Sequence, residues 1–245
     1  MWLIRALSRL FGRRQAGGDQ SPSEPAVEAQ APPPAPEPAP DPAPAQPVSP
    51  EPEKPRVPRS ALVALIGTTA AAALMVSIPK DESGRIVEAT VTEDGGIELR
   101  HIRGRQYLDA YLDIAGIPTI CDGDTHGVRM GMRETEEGCR ERLERQIINH
   151  ARPVIACVPD LAKPERVNQL IASVSLAYNI GPGRRLADGR WQGGFCGSTA
   201  ARRFNAGQWL AGCDAMLMWN KAGGKVVRGL ELRRQRERDL CATGL

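Results

Sequence analysis

The sequence predicts an α+β protein in which a small β lobe is followed by a larger helical lobe. Apolar and polar residues alternate over residues 85–92 and 97–102, and the Glu-Asp-Gly-Gly run at residues 93–96 suits the turn of a β-hairpin. Beyond Thr135 the spacing of apolar residues becomes helical. Fifteen of the 21 prolines lie between Pro22 and Pro58, whereas all six cysteines follow Pro79. The chain therefore has at least two unlike parts.

The first 59 residues divide into two segments. Residues 1–14 place apolar side chains near one helical face and arginines elsewhere, which is typical of a basic amphipathic helix on an anionic membrane surface. A frayed end or an unused upstream start codon is the alternative. Residues 15–59 are a Pro/Ala/Glu repetition with too little apolar mass to offset chain entropy, so we expect a disordered spacer.

Residues 60–79 form an uncharged run of 20 residues, which as a helix is about 30 Å long and just crosses a bilayer core. Six of the residues are alanine, so this transmembrane signal anchor is weak and able to leave the membrane. Basic residues precede the run, which predicts a cytoplasmic N-terminus and an exported C-terminal domain held at the inner membrane. A cleaved signal peptide and a buried Ala-rich core helix are the alternatives.

Residues 80–245 have the size of one domain and contain the six cysteines. An even number of cysteines without CxxC spacing is typical of disulfides in an oxidising compartment such as the periplasm. The net charge of +3 is too small to predict a nucleic-acid partner.

Five helices are predicted in the helical lobe. The first begins at the N-cap Thr135 and ends near Pro153. The others cover residues 164–178, 198–206, 208–219 and 230–241. Short strands are expected over residues 111–120.

Acid-base chemistry by carboxylates is the mechanism that the sequence favours. There is no GxSxG, HExxH, P-loop or Rossmann glycine pattern, and the three histidines (His101, His126 and His150) are scattered, so we expect neither a metal site nor a cofactor. The stretch YLDIAGIPTICDG at residues 111–123 resembles the YxDxxGxxTxCxG signature of phage-type lysozymes, glycoside hydrolase family 24. SLAYNIGPG at residues 175–183 and the segment from Cys196 to Cys241 are also similar to that family.

The resemblance implies a lysozyme-like fold, peptidoglycan as the binding partner, and a chain that is monomeric after release. It implies that Asp113 is the ionised carboxylate that activates water or stabilises an oxocarbenium-like sugar, and that Thr119 positions the water. An Asx-turn role for Asp113 and a strand role for Thr119 are the structural alternatives. The Ala/Gly/Thr-rich run before the domain is similar to the signal-arrest-release endolysins, which are exported, held at the membrane and then released to the periplasm.

The general acid is the open point of the resemblance. The family places a glutamate nine residues before the aspartate, and this chain has Gly104 there. Glu82, which is followed by Ser-Gly, is our first choice, with the hairpin as an insertion between acid and aspartate. Glu98 and Asp109 are the alternatives. A solvated charge in a linker is the structural alternative for Glu82.

The resemblance also implies disulfides between Cys121 and Cys139 and between Cys213 and Cys241, which leaves Cys157 and Cys196 for each other. The arginines of the last helix either contact the anionic wall polymer or form a solvated face; they are Arg228, Arg233, Arg234, Arg236 and Arg238.

The sequence as a whole predicts a membrane-tethered, releasable muramidase that hydrolyses the β-1,4 bond between N-acetylmuramic acid and N-acetylglucosamine for host lysis. Two alternatives stay open. One is a catalytically inactive peptidoglycan-binding protein of the same fold, and the other is a permanently anchored wall-remodelling muramidase.

Overall fold

A computed structural model describes residues 60–245 except Ile114. The segments predicted for residues 1–14 and 15–59 lie outside these described residues. Within them the α-helices are α1 Ala61–Ile66, α2 Thr68–Glu82, α3 Glu136–Cys157, α4 Val167–Ile180, α5 Thr199–Asn205, α6 Trp209–Ala215 and α7 Arg228–Ala242. The strands are β1 Ile86–Val91, β2 Ile97–Arg103, β3 Tyr111–Leu112, β4 Pro118–Thr119, β5 Arg184–Arg185, β6 Trp191–Gln192, β7 Lys221–Ala222 and β8 Lys225–Val226.

Each sheet is an antiparallel pair of consecutive strands, and the longest is the hairpin of β1 and β2. Its last pair before the turn joins Val91 to Ile97, as the alternation of residue types predicts. The hairpin packs against α2, and Val87 and Ile97 are buried. Pairing of β3 with β4 sets Tyr111 opposite Thr119.

A single large hydrophobic core joins the helices. It is built around α4, in which every residue from Gln169 to Ala177 is buried. Side chains of α3, such as Leu143 and Ile147, belong to the same core. A smaller cluster of Ile120, Cys121, Val128 and Cys139 lies beneath the β lobe.

Residues 60–79 form part of the large core in this structure. Leu62, Leu74 and Ile78 are each 0 % exposed and pack in the same cluster as α3 and α4. The segment is not one continuous helix, because Gly67 adopts φ 78° and ψ 160° between α1 and α2. The bend lets both short helices bury their apolar sides. None of the helices in residues 60–113 and 115–245 has both the length and the apolar composition to cross a membrane.

Several boundaries differ from the sequence-based expectations; for example, the helix predicted over residues 208–219 ends at Ala215. Lys80, the expected first residue of the separate domain, lies inside α2, which ends at Glu82. Helix α3 begins after the predicted N-cap, where Thr135 Oγ1 accepts a hydrogen bond from the Gly138 N–H at 2.9 Å. It then continues through Pro153 to Cys157. Burial of Val154 and Cys157 offsets the hydrogen bond that the proline removes.

All three predicted disulfides are present. Cys121 is bonded to Cys139, Cys157 to Cys196, and Cys213 to Cys241. The first of them joins the segment after β4 to the first turn of α3, next to the residues with which the candidate site is built.

Candidate active site

Glu82 is the last residue of α2, and an arginine from the other end of the chain holds its carboxylate. Arg233 of α7 donates a hydrogen bond from Nη1 to Glu82 Oε1 at 2.7 Å. The residue as a whole is exposed, but its side chain is only 25 % exposed. Solvent therefore reaches part of the Glu82 carboxyl group, while the hydrogen bond from Arg233 holds it in place.

Arg233 is itself part of a buried ionic network. It lies 3.2 Å from the Glu237 carboxylate and 3.6 Å from that of Asp81. Burial raises the pKa of Glu237, although Arg234 and Arg233 oppose the shift. Arg233 is 5 % exposed and Arg234 is 0 % exposed. Both sequence-based interpretations of these two arginines, a wall-binding surface and a solvated face, are therefore wrong.

Gly104, which stands where the family has its acid, lies against the backbone that follows Glu82. A Cβ atom on Gly104 would come within 2.7 Å of the Gly84 carbonyl oxygen and 2.9 Å of the Arg85 Cα. The two ends of the β1–β2 hairpin thus meet, with Gly84 entering it and Gly104 leaving it. The chain therefore returns at Gly104 to the place where it entered the hairpin, two residues after Glu82.

Asp113 lies just after β3 and is partly buried. Its Oδ1 accepts hydrogen bonds from the N–H groups of Ala115 at 2.7 Å and Ile117 at 2.9 Å. The Asx turn, which was the structural alternative to a catalytic role for Asp113, is therefore present. These bonds fix Oδ1 and leave Oδ2 3.5 Å from the hydroxyl oxygen of Thr119, a buried residue that ends β4.

Asp122, three residues after Thr119, connects the two parts of the site. Its Oδ1 accepts hydrogen bonds from Ser83 Oγ at 2.8 Å and from Arg85 Nε at 2.9 Å. Its Oδ2 forms an ion pair with Arg85 Nη2. Asp122 is 5 % exposed and Arg85 is 7 % exposed, so the pair is buried.

Burial and the carboxylates of the site raise the pKa of two nearby tyrosines, Tyr178 and Tyr111. Burial raises the pKa of Tyr178, and Glu82, Asp122 and Asp124 raise it further. Burial also raises the pKa of Tyr111, with smaller contributions from its neighbours, including Asp113 and Asp122. Asp122 therefore acts on the tyrosine near Glu82 and on the tyrosine near Asp113.

The two alternative acids lie in less enclosed surroundings. Glu98 is exposed on β2, on the side opposite the buried Ile97, as the strand alternation predicts. Asp109 has a side chain that is 68 % exposed and pairs with Arg133 at 3.4 Å. In the described part of the chain, no group of three or more His, Cys, Asp or Glu residues is arranged to hold a metal ion.

Comparison with known proteins decides the family. A family model described as phage lysozyme matches residues 104–237. The chain belongs to the phage lysozyme family. It is therefore a lysozyme, a peptidoglycan-hydrolysing enzyme with a lytic function. The matched region contains Asp113 and Thr119 and begins after Glu82.

Several curated relatives of this lysozyme are phage proteins. The SAR-endolysin of Pseudomonas phage phiKMV is 39% identical over 136 residues, which cover 54% of this chain and 76% of the relative. The SAR-endolysin of Enterobacteria phage P21 is 32% identical over 162 residues, covering 66% of this chain and 90% of the relative. Among solved structures, the active form of P1 phage endolysin Lyz is 28% identical with a TM-score of 0.47, covering 56% of this chain and 76% of that one.

Sequence reasoning missed the residues that hold the site together. Asp122 lies inside the recognised motif, but nothing in the motif marks Ser83 and Arg85 as its partners. Arg233 was assigned to a surface because its neighbours in sequence are charged. The partners of Asp122 and of Arg233 lie far from them in sequence. The pattern of charged residues along the chain does not predict contacts at such separations.

Proposed function

We propose that this lysozyme cleaves the β-1,4 bond between N-acetylmuramic acid and N-acetylglucosamine with Glu82 as the general acid. In this proposal Asp113 is the second carboxylate and Thr119 positions water. As the bond between C1 and the glycosidic oxygen breaks, the Glu82 carboxyl proton passes to the departing oxygen. Asp113 Oδ2, which the backbone N–H groups leave free, stabilises the positive charge that develops on the sugar or activates the attacking water.

The meeting of Gly84 with Gly104 is the observation that supports Glu82 most strongly. Because Gly84 lies against Gly104, the segment Glu82-Ser83-Gly84 is next to the residue that stands where the family has its acid. The hydrogen bond from Arg233 fixes the direction of the Glu82 side chain, and a general acid has to be held in a fixed position.

Four substitutions in the full-length chain test the assignment. We expect Glu82→Gln and Asp113→Asn each to lower the release of reducing ends from purified peptidoglycan by about 10²-fold or more, which is typical of losing an acid or base. Glu98→Gln and Asp109→Asn are the controls, because their side chains are exposed. We expect their removal to leave the fold and the rate unchanged. Full activity of Glu82→Gln together with an inactive Glu98→Gln would move the acid to the hairpin. Retention of activity by every variant would mean that none of these four carboxylates is required, and no release of reducing ends by the parent chain would favour a non-catalytic wall-binding protein.

We further infer that residues 60–79 first insert in the inner membrane as a signal anchor and fold into α1 and α2 after release to the periplasm. The segment is uncharged, and its large apolar side chains, such as Leu62 and Leu74, suit either a bilayer or the core. Glu82 lies three residues beyond Pro79, so an inserted helix would hold the acid at the bilayer surface. The names of the phiKMV and P21 relatives agree with such a release. In this proposal the released form is a monomer.

A further inference from the structure

We propose that Asp122 is a positioning residue that sets the general acid against the Asp113–Thr119 side of the site. It acts through the Asp122 cluster, which comprises Ser83, Arg85 and Asp122. This inference rests on the proposed role of Glu82 and extends it to residues that do not touch the sugar.

The Asp122 cluster joins the backbone on both sides of the site. Ser83 directly follows Glu82, and its hydroxyl lies 2.8 Å from Asp122 Oδ1 and 2.9 Å from the Pro79 carbonyl oxygen in α2. Asp122 follows Thr119 closely, and its neighbour Cys121 is fixed to α3 by a disulfide. The carboxylate therefore connects the end of the helix that carries the acid to a covalently braced segment of the β lobe.

The hairpin explains why this enzyme needs such a connection. Residues 85–103 separate Glu82 from the motif in sequence, so contacts across the ends of the hairpin, and not the length of the covalent chain, set the distance between the two carboxylates. The hydrogen bond between Ser83 and Asp122 joins the two sides of the site directly, without involving the residues of the hairpin. Small displacements of a catalytic group have large effects on rate, because the reacting atoms have to be held close to their contact distance.

Asp122 is not itself a suitable acid. Both of its oxygens are engaged by the Arg85 guanidinium, and the residue is 5 % exposed. Loss of its charge would leave Arg85 buried without a counter-ion, which disturbs the backbone next to Glu82.

Asp124 provides a matched control. It lies two residues further along the same loop, is 3 % exposed, and pairs with Arg142 of α3 at 3.0 Å. It accepts a backbone hydrogen bond from His126 at 2.9 Å. Asp124 is thus a similarly buried aspartate that also pairs with an arginine, but its contacts lead to α3 and not to the backbone beside Glu82.

The experiment compares Asp122→Asn with Asp124→Asn in the full-length chain, by measuring kcat and KM on purified peptidoglycan at a temperature where both variants are folded. We expect Asp122→Asn to lower kcat by roughly 10²-fold and to leave KM within about twofold. Asp124→Asn should keep kcat within about threefold of the parent while also losing thermal stability. Ser83→Ala should lower kcat about tenfold, and Ser83→Thr, which keeps the hydroxyl, should restore most of it.

An equal loss of kcat in the two aspartate variants would overturn the positioning role, because it would show a general effect of buried charge. Wild-type kcat in Ser83→Ala would overturn it as well, and this variant decides the question if Asp122→Asn does not fold. Glu82→Gln separates this result from the proposed function. If that variant is inactive while Asp122→Asn and Ser83→Ala are fully active, only the positioning role fails. If Glu82→Gln keeps full activity, the assignment of the acid fails.

Discussion

Replacement of Thr68 and Thr69 by leucine should shift this lysozyme towards the membrane-inserted state without damaging its folded form. Both threonines are exposed at the start of α2, so leucines there remove no buried contact. They border a cavity of about 340 Å³ that also involves Leu65 and Val167, and apolar side chains suit its lining. Gly67 is left unchanged, because a leucine at its φ of 78° would strain the bend between α1 and α2.

The expected shift towards the membrane follows from the free energy that each leucine gains when the helix is inserted in the bilayer. In an inserted helix each leucine favours the membrane by about 0.3 to 0.6 kcal/mol, so the pair favours it by about 1 kcal/mol. This corresponds to a shift of roughly fivefold in the ratio of inserted to released chain. In the folded state, exposed substitutions change the free energy of unfolding by only about 0.5 kcal/mol.

Cell fractionation and lysis timing measure this shift directly. The double leucine variant should raise the ratio of membrane-bound to released protein by roughly fivefold and delay lysis, while the purified protein should keep the thermal stability and specific activity of the parent. Thr68→Ser with Thr69→Ser is the control, since serine adds no apolar surface. Unchanged release in the leucine variant, with unchanged stability, would refute the inference that residues 60–79 act as an anchor whose weakness permits release.

The remaining predictions concern stability. Leu74→Ala should lower the free energy of unfolding by about 2 to 5 kcal/mol, since Leu74 is fully buried, and urea unfolding tests this. An unchanged midpoint would mean that residues 60–79 do not belong to the folded core. Burial lowers the pKa of His150, so its stabilising effect is present above the unfolded value of about 6.5 and is lost as the pH falls through the folded pKa. His150→Gln should therefore lose less stability than the parent between about pH 8 and pH 5.5. An equal loss in both would contradict this.

Local signals were sufficient for much of the fold. The alternation of residue types predicted the β1–β2 hairpin, and the N-cap Thr135 predicted the start of α3. Both features depend on residues that are neighbours in sequence. The disulfides were predicted only through the family resemblance, because six cysteines allow many pairings.

Features that depend on tertiary packing could not be predicted in this way. A uniformly apolar run is expected for a membrane helix and also for a helix buried in a protein core, so composition did not predict the packing of α1 and α2. The continuation of α3 through Pro153 depends on the core contacts of Val154, which local propensity does not contain.

The candidate site also combines residues recognised from a local motif with residues whose contacts depend on tertiary packing. The proposal for Asp113 and Thr119 rests on one short motif in which both residues lie. The choice of Glu82 depended on treating the hairpin as an insertion, and the contact between Gly104 and Gly84 now supports that choice. Arg233 and Asp122 could not be assigned, since whether a charged residue is buried depends on the elements that pack on it.

The hairpin also makes this lysozyme a favourable scaffold for engineering. Because its ends meet at Gly84 and Gly104, and doubling the length of a flexible loop costs only about 0.6 kcal/mol, its tip at residues 92–96 is a natural point at which to graft foreign sequence. A peptide or small affinity module placed there would be joined to the wall-degrading domain while the backbone on either side of the graft kept its present path.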